Sequence, residues 1–481
     1  MSLPRFHRTV FIGACLLYFT TAWFSTGYHS ADEHFQIIAF AQWKLGELPA
    51  EHLPWEFAAG IRSSLQPWIA TVMFKAAALV GLDDPFTRAF LLRLLTAMLA
   101  LLAMRGLLQA TMGEHRERLD KAYILLAYGL WFLPFLAVRY SSEGWSAVFL
   151  VFTVTALLRS GKQPGWMWQA GVCAGVAILC RPATALIVLS LLAWMRLVGK
   201  GPVRRIATII MALTATLIAG ALLDVLFYAR PILTLGHYIA LGFGADPAVQ
   251  FDTLPWWYYP PWIIKYAIPP IGALMLLAFG VLLIHRPRHL LVWMMLPFLI
   301  AHSILSHKEV RFLYPLAPLA PWLLIEAWSI LAGPLVRLPR WVLNASTVVV
   351  MIANLLGLAM VVSTPAGEGR VRLAMALLKS TRPGDRIGYV VEPATAWRIT
   401  LPAFYAPPGT QEVIIGPGDP LPQDLDFLIA PEDLYPSLPP DPHLVPIRRS
   451  QPSWSDRLMR VYTWDEGPAP WMVYKVEKAG R

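Results

Sequence analysis

Apolar runs of about 20 residues recur along the chain, each bounded by short polar or basic stretches, and that period is the length of a bilayer-crossing helix. They predict crossing segments at 10–27, 88–110, 121–138, 144–159, 167–181, 183–198, 205–228, 263–284, 289–305, 312–332 and 341–363, about eleven in all. Residues 28–87 are too polar to cross as a whole and form a first outer loop. Within it, 65–81 has Leu65, Trp68/Ile69, Val72/Met73, Ala76 and Val80 at helical spacing but is short and carries Lys75. This pattern predicts an interfacial helix with that stripe as its apolar face. After residue 363 the pattern changes to Pro, Gly and charge. A helix is predicted at 369–380 and short strands at 386–391, 411–415, 426–430, 459–464 and 471–476. The chain thus divides into a membrane part, 1–363, and a small soluble α/β domain, 364–481.

The charges fix an expected orientation. Arg5, His7 and Arg8 precede the first span, and the loops with Arg116/Arg118/Lys121, Arg159/Lys162, Arg196/Lys200/Arg204/Arg205, Arg286/Arg288 and Arg337/Arg340 then all face the cytoplasm. The same count gathers Asp32/Glu33, Arg139/Glu143, Arg181, Asp224 and the cluster His307–Arg311 on the outer side, together with the C-terminal domain. The first apolar run has no small-residue cleavage site and reads as a retained span.

Composition narrows the class further. Of 481 residues 57% are hydrophobic and 15% charged, against roughly 45–50% and 25% in soluble domains, and mean hydropathy is +0.53. The net charge of +10 is carried by inter-span loops rather than by an aromatic-laced basic face, so nucleic acid is excluded as a partner. The three cysteines, Cys15, Cys173 and Cys180, lie inside apolar runs without a CxxC partner, so neither a disulfide frame nor a zinc site is indicated. No internal repeat is visible.

Against that apolar background the polar clusters are conspicuous. Carboxylates at a membrane edge are costly unless they hold a role, and Asp32 and Glu33 follow directly on the first span. The plainer reading of that pair is a hydrated helix cap. Adjacent helical residues point roughly 100° apart, so one acid can face a cleft while the other anchors the loop. His307-Lys308-Glu309-Val310-Arg311-Phe312 sets three potential cations within five residues at an outer helix end. Snorkelling basic caps are common, but the outer side disfavours them, and Arg forks and Lys point charges match phosphate oxygens. Arg139 with Glu143, and Arg181, read either as phosphate-facing groups or as helix caps. Asp224 reads either as a site residue or, the reading favoured, as a structural partner of one of these arginines. Pro255–Trp262 (PWWYYPPW) reads as an interfacial aromatic belt.

Several of these stretches together carry a resemblance. HKEVRFLYPLAPL resembles the His-Lys-Glu-x-Arg-Phe signature of the family-22 C-type glycosyltransferases, the mannosyltransferases of GPI anchors and dolichol-linked oligosaccharides. Ala31-Asp32-Glu33-His34-Phe35-Gln36 resembles that family's His-Pro-Asp-Glu-x-Phe-Gln, with Ser30-Ala31 in place of His-Pro. Trp55-Glu56-Phe57 with Ile61-Arg62-Ser63, and Asp224-Val-Leu-Phe-Tyr228, are similar to its further motifs in the same order. The similarity covers about residues 10–330 and omits the tail.

The resemblance implies an inverting transferase that moves a hexose, mannose in this family, from a polyprenyl-phosphate donor to a glycan or lipid-linked acceptor. Asp32 would be the base and Glu33 its support. His307, Lys308, Arg311, Arg181 and Arg139 would hold the donor phosphate, and Trp55, Glu56, Arg62 and Glu143 the acceptor or sugar. A lipid phosphate leaves without acid assistance, so a single carboxylate suffices and the scheme requires neither metal nor cofactor. Membrane lipid, donor and acceptor are the expected partners. The expected location is a bacterial inner membrane with a periplasmic site, or the ER membrane with a luminal one. The rival from another class is a transporter or flippase of lipid-linked sugars, which calls for repeats and mid-bilayer charges.

Overall fold

A computed structural model describes residues 2–113, 117–160, 165–244, 253–335, 339–367, 369–392, 400–432, 444–454 and 470–477. The predicted strand at 459–464 and the basic residues Arg116, Lys162 and Arg337 lie outside the described residues. The chain is mostly helical and forms two compact units.

The larger unit comprises 1–22, 32–73 and 92–362. Its long helices are α1 (Leu3–Phe24), α2 (Leu65–Leu79), α3 (Pro85–Thr111), α4 (Glu117–Gly129), α5 (Ser142–Arg159), α6 (Gly165–Cys180), α7 (Ala185–Leu197) and α8 (Val203–Tyr228). After these come α9 (Pro269–His285), α10 (Leu290–Ile304), α11 (Ala320–Leu335) and α12 (Arg340–Ser363); α1, α2 and α3 run on into the second unit. Every predicted crossing segment is helical, and the protein is an integral membrane protein of multiple spans. Among the described residues four helices are individually long and apolar enough to cross, and α9 and α10 form a pair bent by 115°. The 16 residues of α6 reach only about 24 Å at 1.5 Å each.

Local chemistry explains several of these elements. Ser141 caps α5, its Oγ accepting the Gly144 N–H at 2.9 Å. Gly171 and Gly175, four apart on α6, let α8 come close, because a Cβ on them would sit 2.4 Å from the Ile209 carbonyl oxygen and 2.6 Å from Thr216 Cβ. Small residues at this spacing are the usual means of close helix contact where lipid removes the hydrophobic drive. Where α4 breaks, Asn354 of α12 donates to the Gly129 carbonyl (2.8 Å) and accepts from the Trp131 N–H (2.9 Å). Otherwise α12 presents Val348, Val349, Met351, Ile352, Leu355 and Leu356 outward, as a lipid-facing helix does.

Helix α2 turns the predicted apolar stripe away from the protein, as a helix lying against lipid would. Its buried side is Gln66/Pro67, Ala70/Thr71, Phe74 and Ala77, while Val72 and Leu79 of the helix, and Val80 just beyond it, are exposed. The predicted stripe therefore lies largely on the exposed side. Lipid solvates apolar side chains as readily as a core does, so periodicity alone cannot tell the two faces apart.

The second unit gathers 23–31, 74–91 and 363–481 around a mixed five-stranded sheet. Its strands are β1 (Arg386–Val390), β2 (Gln411–Ile415), β3 (Phe427–Pro431), β4 (Leu444–Arg449) and β5 (Trp471–Val476), preceded by helix α13 (Arg370–Ser380). The order is β2-β1-β3-β5-β4, parallel across the first three and antiparallel at β5 and β4. Strand β4 is missing from the sequence prediction because Pro446 interrupts it. It is an edge strand with a register shift at Pro446/Arg448, the place where a sheet tolerates proline.

Candidate active site

Helix α1 leads into a short helical run: Ala31–Glu33, a π-type turn His34–Ile38, and then Ala39–Leu45. Wide turns of this kind shift side chains relative to a regular helix and concentrate at functional positions. Here the two adjacent acids diverge. Asp32 keeps its side chain 27% exposed and meets Arg311 Nη1 at 2.5 Å, whereas Glu33 is buried with Arg139 Nη1 at 3.7 Å. Residues 279 positions apart are thus joined by a charge-assisted bond.

Arg311 is the second residue of the 3-10 segment Val310–Leu319, just after the loop that ends α10. Its guanidinium is gripped by Glu309, through Nε to Oε2 and through Nη2 to Oε1 at 2.9 Å. Glu309 also takes His307 Nε2 at 3.0 Å. Burial alone would push the Glu309 carboxyl up, but the hydrogen bonds and charge of Arg311, with His307, hold it below the usual carboxylate range. Glu143, at the start of α5, lies between two arginines, with Arg181 Nη1 at 2.5 Å and Arg311 Nη1 at 3.9 Å from Oε1. The positive N-terminus of α5 favours an acid there. Arg181 lies over the Phe312 ring at 4.9 Å, and its buried Nε has no hydrogen-bond partner among the described residues.

The other predicted site residues fall into different settings. Lys308 is 3% exposed and its ammonium donates to two backbone carbonyls, Leu254 at 2.7 Å and Leu305. Glu56 is buried and accepts from Gln36 Nε2 at 2.9 Å, with Arg62 Nη2 at 3.9 Å. Trp55 is exposed. Two small cavities of about 20 Å³ flank Arg62, Ser63, Leu179 and Cys180, each with room for roughly one water. Gln36, Gln66 and Ser142 line one of them, and Thr234 the other.

Asp224 is structural, but its partners are not arginines. It accepts from Ser63 Oγ (3.3 Å), Ser64 N (2.6 Å), Ser64 Oγ (2.7 Å) and Thr234 Oγ1 (2.5 Å), so α8 pins the loop that carries Arg62. Sequence reasoning left Glu309 and Gln36 out of the site, although each stands inside a motif already singled out. The signal was an acid flanked by His307 and Arg311, which needs partners wherever it is buried.

The network joins Asp32, Glu143, Glu309, Arg181, Arg311 and His307, with Glu33 and Arg139 beside it. It offers two partly exposed carboxylates, Asp32 and Glu309, and arginine forks suited to phosphate oxygens, tied by ion pairs that a charged ligand can exchange.

Comparison with known proteins bears on that arrangement. Residues 9–389 match the Alg9-like mannosyltransferase family. GPI mannosyltransferase 3 of Candida albicans is 26% identical over 61% of this chain and 58% of its own length. The Yarrowia lipolytica protein of the same name is 28% identical over 57% and 54%. The chain therefore spans a little over half the length of these curated relatives. In three dimensions it is similar to the ArnT of Cupriavidus metallidurans in complex with undecaprenyl phosphate, with a TM-score of 0.54 at 14% identity over 97% of both chains. That likeness establishes the fold.

Proposed function

The chain belongs to the Alg9-like mannosyltransferase family, and from that premise we propose that it transfers mannose from a polyprenyl-phosphate donor to a hydroxyl of a glycan or glycolipid acceptor. The observation that carries the reading is the Asp32–Arg311 pair inside a cluster of arginines and carboxylates. A base for the acceptor and a cation for the leaving phosphate are needed within one sugar's width, and this pair supplies both. The structural relative was crystallised with a polyprenyl phosphate, which supports a donor of that class.

In the proposed reaction the donor phosphate takes up Arg311 and the Arg181 guanidinium, releasing Asp32. Asp32 removes the acceptor proton as the acceptor oxygen bonds to the anomeric carbon. The bond from that carbon to the phosphate oxygen breaks on the opposite face, and the lipid phosphate departs with the electron pair. Configuration inverts. Positive charge already fixed in place stabilises the departing anion without rearrangement at the moment of reaction. Glu33, Glu143 and Glu309 hold the three arginines in position. Trp55, Glu56 and Arg62 lie on the acceptor side of the scheme.

Under this proposal the eleven segments cross the bilayer, the site faces the exoplasmic side, and 364–481 forms a domain there; the distribution of basic loops supports that orientation. The two mannosyltransferases named above are from yeasts and lend a bacterial membrane no support. The test is transfer from labelled polyprenyl-phosphate mannose in membranes carrying the wild type, Asp32→Asn or Lys308→Ala. Intact transfer by Asp32→Asn removes the assigned base. Transfer lost in Asp32→Asn but kept in Glu33→Gln sustains the order chosen between the two acids.

A further inference from the structure

A larger cavity, of about 540 Å³, opens between the beginning of α1 and the last turns of α3. It belongs to neither the acidic network nor the Arg62 cleft: from Arg8 to Phe24, where the chain turns toward Asp32, α1 rises about 24 Å. The cavity is lined by His7, Arg8, Phe11, Ile12, Arg105 and Gln109, among others. Arg8 and Arg105 are both exposed, and neither forms an ion pair among the described residues. The Arg105 guanidinium rests 5.0 Å over the Phe11 ring, which fixes its place. His7 is tied to Tyr128 Oη at 3.0 Å, and the Gln109 side-chain oxygen accepts from Arg159 Nη2 at 2.9 Å, so the walls are held as well.

The polar and apolar parts are ordered along the helix. Phe11 and Ile12 lie one turn beyond Arg8, and exposed Leu16 and Phe19 continue from them along α1. A soluble anion would use the arginines and leave the apolar stripe idle. An amphiphile matches both, with its phosphate between two unpaired guanidiniums and its chain along Ile12, Leu16 and Phe19. Basic pockets between membrane helices recognise anionic headgroups on these grounds, and each guanidinium can fork onto two phosphate oxygens. We propose that this cavity is a binding site for an anionic phospholipid of the leaflet on the N-terminal side of α1, separate from the donor site.

The experiment uses the full-length protein in nanodiscs of mixed phosphatidylglycerol and phosphatidylcholine, with the lipids retained after extraction counted by native mass spectrometry. The wild type is expected to retain phosphatidylglycerol at least fivefold over its share of the mixture. Arg8→Gln/Arg105→Gln is expected to retain the two lipids in proportion to the mixture. Arg5→Gln removes a neighbouring exposed charge that does not line the cavity and is expected to behave as wild type. Millimolar inorganic phosphate is expected to leave retention unchanged. If the double variant does not purify, Arg8→Gln alone is read in the same way, with a loss of about threefold. Wild-type retention in proportion to the mixture, unchanged enrichment in the arginine variant, equal loss in Arg5→Gln, or displacement by phosphate alone would each overturn the proposal.

Discussion

Asp32 and Asp224 are two aspartates that sequence reasoning set side by side, and their surroundings give them opposite characters. Asp224 is 1% exposed and saturated by four neutral donors that belong to the fold. Nothing arriving from solution can free it. Asp32 is partly exposed and held mainly by one arginine, a charged partner that an incoming phosphate can draw away. A carboxylate becomes available for chemistry when its partner is exchangeable, and this depends on what surrounds it rather than on the acid itself.

The contrast is broken most directly by neutralising each acid in turn. Asp32→Asn is expected to lower transfer by about 10²–10⁴-fold, the range of a lost general base, with the melting temperature in detergent little changed. Asp224→Ala should do the reverse. It leaves buried donors of Ser63, Ser64 and Thr234 without an acceptor, at a cost of about 2–4 kcal/mol in stability. Transfer per folded molecule should fall far less than in Asp32→Asn. Equal melting losses in the two variants would erase the distinction.

A finer test compares arginines. Arg311 is committed to Asp32 and Glu309, whereas Arg181 keeps a buried Nε without a partner among the described residues. Arg181→Gln removes the cation with a spare donor. It should raise the donor KM by about 10–100-fold, the worth of one charged hydrogen bond, with a smaller change in kcat. A loss confined to kcat would place Arg181 outside donor binding.

These contrasts also mark how far the sequence could be read. Helix positions were legible because membrane helices repeat at a length set by the bilayer, and α13 begins at Arg370 within a residue of expectation. The meeting of Asp32 with Arg311 was expected, because the count of spans and basic loops puts both motifs on one side of the membrane and the resemblance gives them roles in one site. The partners were not legible. Lys308 reads as a free cation in sequence, yet a fold that brings the Leu254 and Leu305 carbonyls together absorbs its charge. The neutral donors around Asp224 come from a loop and a helix 160 and 10 residues away, a closure that no local pattern encodes. For α2, lipid and core select the same residue types, so the face was undetermined until neighbours were in place.

The smallest expected effect extends the contrast to groups that titrate beside Asp32. His34, two residues on, is buried, and burial drives its pKa from 6.5 down to about 3. Glu309 is also held below its usual 4.5, by Arg311 and His307 acting against burial. In both cases the folded protein favours the deprotonated form, so the stabilisation is whole above the unfolded value and is lost as pH falls toward the folded one. His34 acts first, from about pH 6.5 downward, because the unfolded chain takes a proton that the buried ring refuses. Glu309 adds its loss only below about pH 4.5. At pH 5.5 one such refused proton costs at most about 1.4 kcal/mol. Melting temperature in detergent should therefore begin to fall near pH 6.5 in the wild type. In His34→Gln the fall below pH 6.5 should become shallower by the share of one refused proton, while Glu309→Gln should keep the upper onset and lose part of the lower limb. An unchanged slope below pH 6.5 in His34→Gln would mean that the ring is not held neutral, and the wall beside Asp32 would then be wetter than its burial implies.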